Sequence, residues 1–435
     1  MSIGSRAALA AAALLLLAGG ADGASAGLPE GEEGFTPRAA AEEALRANPE
    51  LRAAREAIEV ARARLAQAGL WPNPELALAG ASDFAFANEG EASANVALEQ
   101  RFPIAGRLAR AQDLARVDVE VALAEARDFE RTLIGEVERT AVSILALDRA
   151  VESRDAVIEA ARGLVGASRR RLEAAEVSEA DLNLLEIGLA RLEQERRLLE
   201  LERRNRAVEL NRLLHRANEA PVRVTGTLDE PLYAPLSGAD PLEVALRERP
   251  DLQRQRLSMT RAQAELPLAR AEAWEDWSVE TGYQRENSVL DDRGLALSSR
   301  DNLLAAAVRV PLPLWNRNQG RIAEAIASER RAGHEVAALE RRIAAELEVA
   351  QQRIDALGAV AREYRERLVQ RAERNVALLR QGYAQGLAPI SALVQAQEQL
   401  AEISASYAQT LGELRRAEVE LETAAAANPI LEKRP

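Results

Sequence analysis

Twice in this chain a strand runs directly into a very long helix, and few architectures accommodate that junction. Residues 305–325 read AAAVRVPLPLWNRNQGRIAEA. Leu304, Ala306, Val308, Val310 and Leu312 are apolar at a spacing of two, which lines one face of a strand. Pro311 and Pro313 end any ladder pairing. From Gln319 to Ala388 there is no proline, and Ala, Glu, Arg and Leu dominate, so a long helix is predicted. Residues 94–112, ANVALEQRFPIAGRLARAQ, make the same transition. Ala94, Val96 and Leu98 alternate, Pro103 closes the strand, and a helix is predicted from about Gly106.

The surrounding chain is duplicated as well. Ala245-Leu246-Arg247-Glu248-Arg249-Pro250-Asp251-Leu252 repeats Ala44-Leu45-Arg46-Ala47-Asn48-Pro49-Glu50-Leu51. Each copy reads as helix, strand hairpin, long helix, turn and returning helix, a tandem repeat of about 200 residues. The first repeat is expected over 27–216, with its hairpin at 75–102 and a helical tip near 176–179. A proline-containing linker is expected over 217–240, including a short strand from Val222 to Thr225. The second repeat is expected over 241–427, with its hairpin at 277–312, a loop from Arg285 to Asp301, and a tip near 385–389. A loose tail is expected over 428–435, and a mobile polar leader over Gly27–Thr36.

The long segments carry coiled-coil stripes. Ala126, Phe129, Leu133, Val137, Ala141, Ile144, Leu147 and Val151 form one, with a step close to that of left-handed supercoils. The second runs from Val336 through Leu339, Ile343, Leu347, Ala350, Ile354, Leu357, Ala361 and Tyr364 to Leu368. A helix of ~70 residues extends about 105 Å. At the first turn, Ser178 is a candidate cap with Asp181 three residues on, and the returning helix is expected to reach about Arg216. Gly386 suits a helix C-terminus and aligns with Glu176.

Residues 1–26 read as a secretory signal, with Arg6, the apolar run 7–18 and a cleavage site after Ala26. That run is shorter than the ~20 residues needed to span a bilayer, and no other stretch qualifies. Membrane insertion would have to use strands. One apolar face against one small or polar face fits a membrane barrel around a wet lumen, and fits a half-buried soluble hairpin equally. Trp71, Trp274, Trp277 and Trp315 all flank the hairpins, with Phe84, Phe86, Phe102 and Tyr283, as in an aromatic girdle. Four strands cannot close a barrel with an open lumen, so several chains must pool theirs.

The net charge of -13 argues against a nucleic-acid partner. The chain has no cysteine and two histidines, His215 and His334, on different predicted helices. No nucleophile elbow, phosphate loop or metal motif is present, so no enzyme, cofactor or metal site is expected.

These features resemble the TolC-like outer-membrane factor family. The resemblance rests on the duplication, Asn48-Pro49-Glu50-Leu51, Pro72-Asn73-Pro74-Glu75-Leu76 and Gln100-Arg101-Phe102-Pro103. The segment from Val310 to Gly320 is similar to the CzcC-like branch, which serves divalent-cation efflux. The resemblance implies a mainly α fold with membrane β: a long antiparallel α-helical coiled-coil barrel, plus four strands per chain in a shared twelve-stranded trimeric barrel. It implies a homotrimer in the outer membrane of a Gram-negative bacterium, with its tunnel in the periplasm, working with a periplasmic adaptor and an inner-membrane RND-type pump. It places the adaptor-docking tips at Glu176, Val177, Ser178, Gly386 and Leu387. An acidic pair that constricts some relatives falls here on Ala392 and Gln395, leaving Asp181, Glu186 and Gln395 as entrance-lining candidates. Trp71, Trp274, Trp277, Tyr283 and Trp315 are the membrane-interface aromatics. The expected function is an efflux duct for heavy-metal cations. An organic-solute or type I secretion duct, and an exported structural coiled-coil protein, are the alternatives.

Overall fold

The computed structural model describes residues 34–85, 90–231, 240–292, 295–428 and 430. The signal segment with its cleavage site, Phe86, most of the second half of the linker, and residues 431–435 lie outside them. The first repeat contains helices α1 (Pro37–Ala47) and α2 (Pro49–Ala68), strands β1 (Glu75–Ser82) and β2 (Ala92–Phe102), then α3 (Arg107–Glu173) and α4 (Glu179–Leu213). The second contains α5 (Pro241–Glu248), α6 (Pro250–Ala271), β3 (Trp277–Asp292), β4 (Leu295–Arg309), α7 (Gln319–Glu363), a π-helical turn (Tyr364–Leu368), α8 (Val369–Ala384) and α9 (Ile390–Ala425).

Helix starts follow local chemistry. Thr36 accepts from the Ala39 amide at 3.2 Å, and the Asn48 side-chain oxygen accepts from the Glu50 and Leu51 amides at 2.9 and 3.0 Å. Both strand-to-helix junctions turn through a left-handed residue, Gly106 at φ 71 and Asn318 at φ 58. Glycine and asparagine tolerate that conformation best. Asn318 also donates to the Ala269 carbonyl at 2.7 Å, pinning the junction to α6.

The helices form one palisade. Next to the sheet, α2, α3, α6 and α7 lie side by side; farther away, α4, α3, α9 and the α7–α8 rod do. The long helices span both levels, while α2 stacks on α4 and α6 stacks on α9. The largest core lies at the joint between levels, where Leu133, Ile134, Val137, Ala141 and Ile144 of α3 meet α1, Leu210, Leu213, Leu414 and Val419. Burial of such side chains stabilises by roughly 1.5–3 kcal/mol each. Small residues set the spacing: a Cβ on Gly412 would lie 2.5 Å from the Ala146 Cβ, so α9 approaches α3 closely there.

Several expectations are corrected. The loop over Arg285–Asp301 is strand: β3 runs to Asp292 and β4 starts at Leu295, pairing Arg285 with Asn302 and Asn287 with Arg300. Backbone pairing needs no apolar side chains where both faces meet water. Strand β4 ends at Arg309, so Val310 and Leu312 lie beyond it. The strand over Val222–Thr225 reduces to a single bridge between Val224 and Phe35. That bridge ties down the end of the leader, with the Arg216 guanidinium over the Phe35 ring at 5.1 Å. The tail begins packed, since Asn428 and Ile430 are buried.

Helix α4 stops at Leu213 rather than Arg216. His215 takes φ 56, and the Arg216 amide donates to the Asn211 carbonyl at 2.9 Å, a left-handed C-terminal cap. The stripe through Leu368 is broken by the π-helical turn, which inserts one residue. Val369 takes over the packed face and Leu368 turns outward, while Tyr364 stacks on Tyr407 at 6.1 Å.

Candidate functional site

The sheet order is β1-β2-β3-β4, all antiparallel, with β1 and β4 at free edges. Register sorts the side chains into rows. On one face, Leu76, Leu98, Thr281 and Ala306 are cross-strand neighbours, as are Leu78, Val96, Tyr283 and Leu304. These large apolar groups are exposed, Leu304 by 87%. On the other face the rows are Glu75, Glu99, Glu280 and Ala307, then Ala77, Ala97, Gly282 and Ala305, then Ala79, Asn95, Gln284 and Leu303. Ala97 is buried while its neighbours Val96 and Leu98 are exposed, so the sheet curls with the small and polar face inside. An exposed apolar exterior around a polar concavity is the arrangement of a membrane barrel segment.

The aromatic residues concentrate at the helix end of the sheet. Trp277 pairs with Phe102, and Trp71 meets the Phe102 ring edge-on at 5.9 Å. Trp274 follows α6 and Trp315 follows β4, both exposed. Tyr283 lies six residues up β3 on the outer face, its hydroxyl donating to Asn302 Oδ1 at 2.6 Å. Its apolar ring and polar end suit a second interface level.

At the opposite end of the molecule are two helical tips. Ala175 at φ 59 and Gly386 at φ 73 are the left-handed residues. The next amides, Glu176 and Leu387, donate back to the Arg171 and Gly382 carbonyls, both at 2.8 Å. Gly386 therefore corresponds to Ala175, one residue from the expected match with Glu176; the cap geometry, not the sequence, fixes the register. Val177 and Ser178 follow in the first tip, where Ser178 caps α4. The Asp181 carboxylate accepts from the Ser178 hydroxyl at 2.8 Å, so this acid is committed to the capping box. Glu186 pairs with Arg169 at 2.7 Å, and Gln395 is exposed on α9. Leu387 is 79% exposed. Between the tips, Tyr383 joins the repeats: its hydroxyl lies 3.1 Å from Ser168 Oγ and its ring 5.2 Å from the Arg171 guanidinium.

Titratable groups gather at the joint between levels. Glu422 of α9 is buried beside Glu138 of α3, and burial with the Glu138 charge pushes its carboxyl up to about 8. Burial would also raise Asp251, but hydrogen bonds and charge from Arg249, with charge from Arg131, hold it below its ordinary value. His215 and His334 stay apart, at the end of α4 and on α7. Among the described residues no group of three or more potential ligands is placed to hold a metal ion, and no helix is long and apolar enough to cross a membrane.

The family model described as outer membrane efflux protein matches residues 242–427. That match spans the second of the two repeats. The chain is 25% identical, over 309 residues covering 70% of this chain and 69% of the relative, to the cobalt-zinc-cadmium resistance protein CzcC of Cupriavidus metallidurans. Its fold is similar to that of CusC, known from crystal structures concerning transmembrane channel formation, with TM-score 0.73, 17% identity and coverage of 90% and 92%. It is also similar to the CmeC outer membrane channel of Campylobacter jejuni, with TM-score 0.69, 14% identity and coverage of 89% and 84%. The chain thus has a TolC-like channel fold, and the proteins it matches are outer membrane efflux proteins and channels. Sequence reading missed its charged inner row and the joint residues Arg249 and Glu422. Charge at alternate strand positions was the available signal for the former; nothing local marks the latter.

Proposed function

We propose that three copies of this chain form the outer-membrane duct of a tripartite efflux system for heavy-metal cations. The carrying observation is the four-stranded sheet, apolar outside and polar inside, with both edges open and helices of about 100 Å leading from it. Open edges in lipid demand further strands, and further copies can supply them. The edge helices make the same demand. Leu198, Leu201 and Val208 on α4, and Val349, Val360 and Leu378 on the α7–α8 rod, are exposed at opposite margins of the palisade. A head-to-tail ring would cover both.

The proposed setting is the outer membrane of a Gram-negative cell, reached by a signal cleaved after Ala26. The lipid would surround the barrel, and the tunnel would lead through the periplasm to an adaptor and an RND-type pump. The tips at Glu176–Ser178 and Gly386–Leu387 would meet the adaptor, and Asp181, Glu186 and Gln395 would lie near the entrance. The cargo assignment is supported by the likeness to a cobalt-zinc-cadmium resistance protein. Detergent-corrected light scattering should give a trimer mass; a monomer would overturn the pooled barrel. A deletion strain should become sensitive to zinc, cobalt, cadmium, copper or silver more than to dyes and antibiotics. The reverse pattern would assign an organic cargo.

A further inference from the structure

Glu75, Glu99 and Glu280 are direct neighbours across β1, β2 and β3 on the inner face. Like charges opposite one another destabilise a ladder, so this row needs a reason. The adjoining row toward the helices holds Arg101 and Arg309 on either side of Ser278. Arg101 lies 3.0 Å from Glu75 and 3.9 Å from Glu99, and Arg309 lies 3.7 Å from Glu99 and 3.4 Å from Glu280. Each arginine bridges two glutamates, and Arg309 reaches past its neighbouring strand to do so. All five side chains stay accessible to water, where such pairs contribute little to stability. Uncharged polar residues would serve folding as well.

The neighbouring inner row explains why these charges matter. Ala77, Ala97, Gly282 and Ala305 project nothing beyond a Cβ. Over this part of the wall the charged layer reaches farthest into the lumen, and a passing ion meets it at closest range. Three glutamates against two arginines leave one negative charge per copy. Rings of fixed charge at a narrow level sort ions by sign.

We infer that Glu75, Glu99, Glu280, Arg101 and Arg309 form a charge filter at the helix-proximal end of the barrel, favouring cations over anions. This rests on the duct reading. The arginines keep the layer from becoming a sink: each glutamate already has a partner, so a cation is attracted without being held.

The test is the reversal potential of the purified trimer in planar bilayers under a potassium chloride gradient. Glu99→Gln with Glu280→Gln turns the layer from one negative to one positive charge per copy, and should shift the reversal potential toward chloride preference. Arg101→Gln with Arg309→Gln makes the layer more negative, and should shift it the other way. Opposite shifts cannot come from a shared folding defect. Conducting channels whose selectivity is the same in wild type and both variants would overturn the filter and leave the duct intact. A wild-type trimer that never conducts would overturn the duct reading, and the filter with it.

Discussion

Asn48 donates to the Leu213 carbonyl at 3.0 Å, and Arg249, which stands at the same place in the second repeat, donates to the Ala424 carbonyl at 3.2 Å. Each residue sits where a helix of one level ends against the start of a helix of the other. The last carbonyls of a helix have no partner within it, and burial makes that costly. Asn48 solves both sides of its joint, capping α2 with its oxygen and satisfying α4 with its nitrogen. Arg249 makes no such cap. It pairs instead with Asp251 and Glu346, while Arg131 takes the Thr423 carbonyl at 2.8 Å.

Asn48→Ala removes a cap and strands a buried carbonyl, so it should cost about 2–4 kcal/mol. Asn48→Ser keeps a capping oxygen and loses the donor to Leu213, and should cost less. Urea unfolding of the assembled protein, followed by circular dichroism, orders the two. Equal losses would show that the cap contributes nothing, and no loss in the second variant would show that the Leu213 bond contributes nothing.

Arg249→Met leaves Asp251 buried without its main partner, and should cost about 3–5 kcal/mol at neutral pH. In the wild type Asp251 is held below its ordinary value. Its contribution is therefore present above the ordinary carboxylate range and is lost as pH falls through the folded value. The deficit of the variant should narrow in acid. A deficit independent of pH would mean that Asp251 is not the stranded group.

Much of this fold is legible in the chain because its signals are local. Alternation placed the four strands, Pro103 and Pro311 ended the ladders, and the stripes on α3 and α7 gave the long helices. What was hidden depends on distant partners. Arg285 and Asn302 look like loop residues until each pairs with the other. The alignment of Glu99 with Glu280 depends on how the two repeats meet, which neither hairpin encodes alone. One inserted residue in the π-helical turn changes no composition, yet it turns Leu368 outward. The first tip lacks a glycine at its left-handed position, so Ala175 gave no signal and the tips were matched one residue out.

Glu422 supplies a pH dependence of the opposite sign. Its folded value of about 8 lies above the ordinary 4.5, with Glu138 on α3, Arg38 on α1 and Glu418 on its own helix bearing on it. The folded state holds a proton that the unfolded state releases, so this group's contribution is full below about 4.5 and is lost as pH rises through about 8. Glu422→Gln keeps the neutral form at all pH. Relative to wild type it should gain on the order of 3 kcal/mol between pH 5 and pH 9. A constant difference across that range would show that Glu422 is ionised throughout.

The tips allow strain and docking to be separated. Ala175 and Gly386 share one backbone conformation, and a Cβ at positive φ costs roughly 1 kcal/mol. Ala175→Gly should therefore stabilise the first tip, and Gly386→Ala should destabilise the second by a similar amount, both read as shifts in thermal unfolding. Nothing lies within 4 Å of a Cβ built on Gly386, so the cost there is conformational rather than steric. The proposed adaptor docking is a different matter, and would rest on the exposed Leu387 and the open backbone beside it. Leu387→Asp alone leaves the left-handed cap intact, so trimers should reach the outer membrane at normal levels. Metal export and crosslinking to the adaptor should fall. If crosslinking and export persist in assembled Leu387→Asp trimers, the adaptor does not read this side chain. If Gly386→Ala impairs export while Leu387→Asp does not, the freedom of the turn matters and its apolar contact does not.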